Sequence, residues 1–442
     1  MKTRYLAEFI KYVILNVMGM VGLSCYILAD TFFISKGLGS DGLTALNLAI
    51  PVYSFIHGIA LMFGMGGATK YSILMGQNHK KEANEIFNNT VKVSMVAAGI
   101  FSLTGILFSK PLAIFLGAAG NILDMTNIYL KVILLFAPAF ILNEVLLSFV
   151  RNDGNPGLAM TAMLTGSFVN IIFDYIFIFP FQWGIFGAVI ATSIAPVISM
   201  GILRLHKVRG KQQFCLKKVR FSSTMIADTV KIGIPSLITE VAAGIVMIIF
   251  NILILEIEGN IGVAAYGVIA NLALVFSAIY TGIAQGVQPL VSEGYGKNDM
   301  KQMKIMYRYA VITLSVVSIV IYTLSFIYSH PIAAIFNSEQ NSMLQEIAVA
   351  GMKLYFTAVP FIGFNIVTSV FFSAIERVLP AQSISLLRGI VLMVPMAYLM
   401  AAVWEMTGVW LTVPVTEGIV TVLGIIFILK WWKETKFYER ET

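Results

Sequence analysis

The chain is dominated by apolar runs of about 20 residues or more, each long enough to cross a bilayer as a helix. Twelve are read, over approximately 10–34, 44–74, 88–109, 124–150, 157–180, 183–203, 229–257, 263–292, 307–328, 344–375, 380–403 and 408–431. The expected fold is therefore all-α and integral to the membrane. Only 12% of the 442 residues are charged and 58% are hydrophobic, whereas roughly a quarter of a soluble chain is charged. That excludes a water-soluble enzyme, a disordered scaffold and a secreted disulfide protein. Cys25, in an apolar stretch, and Cys215, in a basic loop, cannot build a disulfide framework. The first run is not read as a cleaved leader, because no small-residue cleavage pattern follows it and Lys11 interrupts its start.

Lys and Arg are distributed unevenly between the two faces. One face takes Lys2, Arg4, Lys11, Lys80, Lys81, Arg151, Lys297, Lys301, Lys304 and Arg308, with the seven basic residues of 204–220 and the tail Lys430, Lys433, Lys436 and Arg440. The opposite face keeps little beyond Lys36, Lys110, Lys131 and Lys353. The positive-inside rule then places both termini and the 204–228 linker in the cytoplasm. The net charge of +7 is read as membrane topology, each basic cluster being a solvated flanking loop. Nucleic acid is not an expected partner.

The halves resemble each other at an offset of 220: Gly39 with Gly259, Gly66 with Gly286, Gly76 with Gly296, Asn78 with Asn298 and Pro111 with Pro331. At slightly larger offsets Pro138 answers Pro360, Pro156 answers Pro380 and Gly184 answers Gly408. Six spans per repeat is even, so both halves enter from one face and are related by a pseudo-two-fold along the membrane normal. The expected organisation is a first six-helix lobe over 1–203, a basic linker over 204–228, a second lobe over 229–431 and a tail over 432–442. Two such lobes with a cleft between them suit an alternating-access carrier.

Carboxylates in hydrocarbon cost about 2.5–3.5 kcal/mol each on insertion scales and are functional candidates. The spans hold Asp30, Glu144, Asp174, Glu240 and Glu417. At a 1.5 Å rise per residue, Asp30 lies roughly 6 Å and Asp174 roughly 9 Å below the outer ends of their spans, with Asn170 and Thr192 at roughly 13–15 Å. Asn170 and Asp174, four apart, share a helix face. Oxygen donors of this kind suit a hard cation such as Na⁺, and a close pair of carboxylates equally suits a proton; hydrogen bonding for packing is the alternative. Glu240, near mid-membrane, would attract cationic substrates. Glu417 reads as structural, and Glu144 as reaching interfacial water. The four histidines show no metal spacing, and no Walker loop, zinc motif or nucleophile elbow is found. No cofactor is expected beyond Na⁺ or H⁺ as coupling ion.

Ala29-Asp30-Thr31-Phe32-Phe33-Ile34, Ala45-Leu46-Asn47-Leu48-Ala49-Ile50-Pro51, Gly64-Met65-Gly66-Gly67-Ala68, Asn170 with Asp174, and Gln285-Gly286-Val287-Gln288-Pro289 occur in order along the chain. In this set the chain resembles the multidrug and toxic compound extrusion (MATE) family, nearest its DinF-like, MepA-type branch. The resemblance implies sodium- or proton-coupled export of varied, often cationic, organic compounds from a bacterial-type plasma membrane, by a monomer. It implies an ion or proton site at Asp30, Asn170, Asp174 and Thr192. Glu240 falls where related members carry a seventh-helix glutamate, and Gln285, Gln288 and Met65 join it as candidate substrate contacts. The tenth-helix aspartate of those members has no counterpart within 344–375, so a second-lobe ion site is not expected. The first span has Gly19 and Gly22 but no proline, so a proline-centred bend does not carry over. A lipid-linked oligosaccharide flippase is the competing reading. It would place Arg or Lys in the central cavity, and the membrane interior reads as short of both. An integral-membrane transferase would need a clustered aspartate site, which the sequence lacks.

Overall fold

The computed structural model describes residues 2–337 and 340–441, with side chains described over 4–337 and 340–435. The basic side chains of Lys2, Lys436 and Arg440 lie outside the described ones. The described elements are helices: α1 (Lys2–Gly76), α2 (Lys80–Phe115), α3 (Gly120–Leu135), α4 (Ala137–Asn152), α5 (Pro156–Ile178), α6 (Gly184–Leu203), α7 (Leu205–Val208) and α8 (Ser223–Gly296). The remainder are α9 (Met300–Ile327), α10 (Ser329–Phe336), α11 (Ser342–Tyr355), α12 (Val359–Ala374), α13 (Val378–Leu386) and α14 (Met393–Glu441). Helix dominates because hydrocarbon offers no partner for backbone N–H and C=O groups, so each segment must bond to itself.

Among the described residues, eight helical units are long and apolar enough to span a membrane, and nine if the α3–α4 pair, bent by 47°, is one span. Three of these double back. A straight α1 would be about 110 Å long, far beyond a hydrocarbon core of about 30 Å. Gly39, at φ 67° and ψ −156°, breaks it, and the Tyr26 and Tyr53 hydroxyls, on either side of that break, meet at 3.2 Å. α8 breaks at Gly259, φ 63° and ψ −156°, and brings Phe250 and Tyr266 to a ring separation of 5.6 Å. α14 breaks at Trp404–Glu405, where Gly408 closes on the Met400 carbonyl. These reversals restore the twelve expected spans.

The repeat is visible in the backbone. The Gly39 and Gly259 breaks share one conformation, and Asn78 (φ 62°) and Asn298 (φ 55°) end α1 and α8 in the same left-handed turn. Spans four and ten are each interrupted just before the matched prolines, at Phe136 ahead of Pro138 and at the 3₁₀ turn Phe356–Ala358 ahead of Pro360. A proline in the first turn of a helix loses no hydrogen bond, so it tolerates that restart. The first lobe has two apolar clusters, one around Tyr129, Ile133 and Ile141 and one around Tyr71, Phe87 and Phe149. The second lobe has a single continuous core, which also receives Phe9 and Val13 of α1.

Helix α8 begins at Ser223, ahead of the expected 229, and the connector spans 204–222. It is docked rather than slack. The amides of Cys215, Lys217 and Ser222 donate to Asn84 Oδ1 (2.6 Å), Asn88 Oδ1 (2.8 Å) and Asn89 Oδ1 (3.0 Å) on α2. Phe214 is buried against Phe87 at 4.5 Å, with Tyr71 and Phe149 around it. Beside it, buried His206 meets Asp153 at 2.8 Å.

The lobes touch on the connector side. Gly66 abuts the Thr229 carbonyl, Gly233 abuts the Met62 carbonyl, and Gly296 abuts the Ile73 carbonyl. Tyr5 donates to Asp299 (3.0 Å), Ser72 to the Pro289 carbonyl (3.3 Å) and Lys70 to Glu376 (2.5 Å). The central cleft therefore opens away from the connector.

Candidate functional site

The four groups expected at an ion site converge in the first lobe. Asp30 comes from the first arm of α1, Asn170 and Asp174 from one face of α5, and Thr192 from α6. All four are buried, Asn170 and Asp174 completely. In the amide orientation that satisfies both ends, Asn170 Nδ2 donates to Asp174 Oδ2 (3.0 Å), and its oxygen accepts from the Thr192 N–H (3.1 Å) and hydroxyl (3.3 Å). The Asp30 and Asp174 carboxyls are close enough to interact with each other. Two neighbouring carboxylates repel when both are charged, and a proton or a cation between them would relieve that repulsion. One oxygen of each, Asp30 Oδ1 and Asp174 Oδ1, is buried with no hydrogen-bond partner. Orphaned anionic oxygens of this kind fit a hard cation or a proton. Among the described residues no group of three or more His, Cys, Asp or Glu side chains could hold a metal. Tyr129, which sequence reasoning passed over, is buried beside Thr192 and the carboxyl pair.

A cavity of about 350 Å³ lies between the lobes, walled by Met20, Met163, Met247, Tyr53, Tyr266 and Tyr355, among others. Apolar and aromatic walls with a few polar groups are what a small-molecule pocket requires. Glu240 lines it as expected. Glu144 corrects the expectation of interfacial solvation: it lines the same cavity, with His57. The cavity reaches towards the carboxyl pair through Tyr53, whose hydroxyl meets that of Tyr26, one turn before Asp30 on α1.

Two arginines overturn further expectations. Arg388, inside the eleventh span, lines the cavity and clamps Glu417 through Nε (3.1 Å) and Nη2 (2.7 Å). The membrane interior is thus not free of basic side chains, although Glu417 neutralises this one. Arg151 is no solvated flanking charge; it is 1% exposed. Its Nη1 donates to Gln285 Oε1 across the lobe boundary (2.7 Å) and to Asn16 Oδ1 (3.1 Å), while Nη2 faces Met65 Sδ (3.2 Å) and Ser148 Oγ (3.3 Å). Neutral acceptors and a polarisable sulfur take that charge directly, and Glu144 faces it through Ser148, whose hydroxyl donates to the carboxylate. Gln288 donates to Thr69 (2.8 Å) and exchanges bonds with Asn152. Met65, Gln285 and Gln288 all border the smaller pocket beneath the main cavity, so the structure makes them the floor of the cleft and part of the seam. A lone arginine in an apolar run requires a partner, and that was the signal available for Arg388.

The MatE family profile matches residues 17–176 and 235–399, one segment in each lobe. The chain belongs to the MatE family. This MatE protein is 26% identical over 405 residues to the multidrug export protein MepA of Staphylococcus aureus (strain MRSA252), which covers 91% of this chain and 89% of that protein. The likeness to MepA of Staphylococcus saprophyticus has the same identity and coverage. Among solved structures it is similar to an outward-facing conformation of a multidrug resistance MATE family transporter of the MOP superfamily, with a TM-score of 0.91, 21% identity, and coverage of 98% of this chain and 96% of that one. A MOP superfamily transporter from Pyrococcus furiosus, described as having a binding pocket of reverse polarity, gives a TM-score of 0.88 at 22% identity, covering 95% of this chain and 94% of that one. At those identities the structural likeness speaks for the twelve-helix, two-lobe fold. The MatE chain is a multi-pass membrane transporter, not an enzyme.

Proposed function

We propose that this MatE chain is a secondary active multidrug efflux antiporter, exporting organic, often cationic, compounds in exchange for Na⁺ or H⁺ at Asp30, Asn170, Asp174 and Thr192. It works as a monomer in a bacterial plasma membrane, with both termini and the connector in the cytoplasm. On that orientation the cleft faces outwards. The observation that carries the reading is the proximity of Asp30 and Asp174, both buried beside the cavity, each with an unsatisfied oxygen.

The cycle follows from differential affinity, since a ligand shifts an equilibrium only as far as it prefers one state. The outward-open state binds the ion between the two carboxyls. Occupancy removes their repulsion and lets α1 and α5 close on each other. Because the Tyr26–Tyr53 contact ties that region to the cavity wall, closure reshapes the cavity and expels the compound outwards. The connector-side seam then opens, the ion leaves, and Glu144 and Glu240 accept a new cationic compound from the inner side.

The test is Asp30→Asn and Asp174→Asn, each assayed in proteoliposomes for efflux of a fluorescent cation under separate Na⁺ and pH gradients. Each is expected to lose gradient-driven transport by at least about tenfold. Undiminished transport in both variants would sink the coupling site. Arg388, a basic side chain lining the cavity, leans towards a flippase, which needs cavity cations for pyrophosphate. Its pairing with Glu417 removes that excess charge, and the other charged groups named in the cavity are acidic.

A further inference from the structure

The second lobe carries a charged assembly that the exchange cycle leaves unused. Arg388 sits in a π turn, Leu387–Val391, closed by the Leu392 N–H on the Leu387 carbonyl at 3.1 Å. Such a turn inserts an extra residue into a helix and is frequent at functional sites. Glu417 is only 2% exposed, and its carboxylate is fully engaged. Arg388 takes both of its oxygens at 2.7–3.2 Å. Asn365 Nδ2 donates to Oε2 at 2.7 Å, with Thr421 bonding in turn to Asn365 Oδ1 at 3.3 Å.

This assembly is not a second ion site. The repeat offsets set Phe250 against Asp30 and Tyr398 against Asp174, so the acidic pair has no equivalent in this lobe. Glu417, one residue after the counterpart of Thr192, is already occupied by a tethered cation. What remains open is the other edge of the guanidinium. Among the described residues Arg388 Nη1 has no hydrogen-bond partner, and Arg388 lines both the main cavity and the pocket beneath it, as do Glu240 and Gln285.

We infer that Arg388 Nη1 is an acceptor-recognition subsite of the central cavity, and that the compounds it favours are zwitterions whose cationic nitrogen pairs with Glu240 while their carboxylate accepts from Nη1. The inference rests on the efflux reading and narrows its substrate class. A carboxylate gains a charge-assisted hydrogen bond there, and such bonds are about twice as strong as neutral ones. A purely cationic compound gains nothing at Nη1 and finds Glu417 blocked.

Rhodamine B and its ethyl ester test it, because they share one cationic chromophore and differ in a free or masked carboxylate. Each is titrated against the purified full-length protein by fluorescence polarisation, which needs no ion gradient. The wild type is expected to bind the acid about tenfold more tightly than the ester, which corresponds to about 1.4 kcal/mol. In Arg388→Gln/Glu417→Gln, which removes the pair without stranding a buried charge, the ratio should collapse towards one. Arg388→Lys keeps the charge but loses the planar fork, and should lower the ratio to about a third; it decides the matter should the double variant fail to fold. Equal or tighter binding of the ester by the wild type, no binding of either dye, or a wild-type ratio in both variants overturns the inference. Failure of the efflux reading shows itself separately, as retained acid preference in a protein that moves neither dye under any gradient.

Discussion

At the residue scale, the amide of Asn170 holds the proposed coupling site together. It bridges Asp174 to both the backbone and the hydroxyl of Thr192, so it sets the direction in which the acidic pair faces. Groups that orient a ligand without carrying its charge are typically worth about 10–100-fold in ion affinity. Asn170→Leu is accordingly expected to raise the Na⁺ or H⁺ concentration giving half-maximal exchange by that factor. Binding of a cationic dye in the absence of a gradient should move much less, since Asn170 does not line the cavity. An equal loss in both measurements would mean the lobe had collapsed, not that coupling had weakened. Much of this pocket was legible beforehand: Asn170 and Asp174 share a face by their spacing, and helical rise set Asp30 at a comparable depth. Arg388 and Arg151 were not. Arg388 finds Glu417 29 positions away on another span. Arg151 ends its helix just before a turn, where only tertiary packing decides whether a side chain points to water or to a neighbouring lobe.

At the element scale, two glycines decide the course of the chain. Gly39 and Gly259 occupy a backbone region that is essentially closed to residues with a Cβ, and a side chain there costs of order 1–3 kcal/mol. No heavy atom lies within 4 Å of the Cβ either would gain, so the cost is conformational alone. Gly39→Ala and Gly259→Ala should therefore lower the thermal midpoint of the detergent-solubilised protein by similar amounts. A large drop in one variant and none in the other would contradict the equivalence of the two reversals. The twelve spans were readable because hydrocarbon demands long apolar helices. The turns at Gly39 and Gly259 fall in the gaps read between spans, 35–43 and 258–262, although the left-handed geometry of each glycine was not read beforehand. The connector was harder still, since its basic composition reads as a loose loop while its backbone bonds to three asparagines of α2. It also offers a natural reporter: Cys215 is exposed. On the proposed orientation, with Cys25→Ser as background, an impermeant maleimide should label Cys215 in inside-out vesicles and spare it in intact cells. The reverse pattern would invert the molecule.

At the scale of the whole molecule, the two lobes are held by a seam that an alternating-access cycle must be able to open. Its surface pair, Lys70 with Glu376, keeps about a quarter of its side-chain area exposed, and such pairs contribute at most about 1 kcal/mol. The stronger tie is buried: Arg151 reaches across to Gln285, and a hydrogen bond to a charged group is worth about 1.5–3 kcal/mol. Backbone proximity is the second condition, because a Cβ on Gly233 would stand 1.9 Å from the Met62 carbonyl and one on Gly66 would stand 2.0 Å from that of Thr229. Arg151→Leu removes the tie while leaving the surfaces able to meet; Gly233→Ala leaves the tie while preventing the surfaces from meeting. Both should shift the population towards the state open on the connector side. Spin labels at Gln77→Cys and Lys297→Cys, in a Cys25→Ser/Cys215→Ser background, lie where the Gly76 and Gly296 backbones touch. They should give a short distance in the otherwise unaltered chain and a longer, broader distribution in either seam variant. The tie and the close approach act independently, so a short distance surviving Arg151→Leu alone would place the closing force in the glycine contacts. A short distance surviving both would mean that neither holds the seam, and that the barrier to opening lies within the lobes.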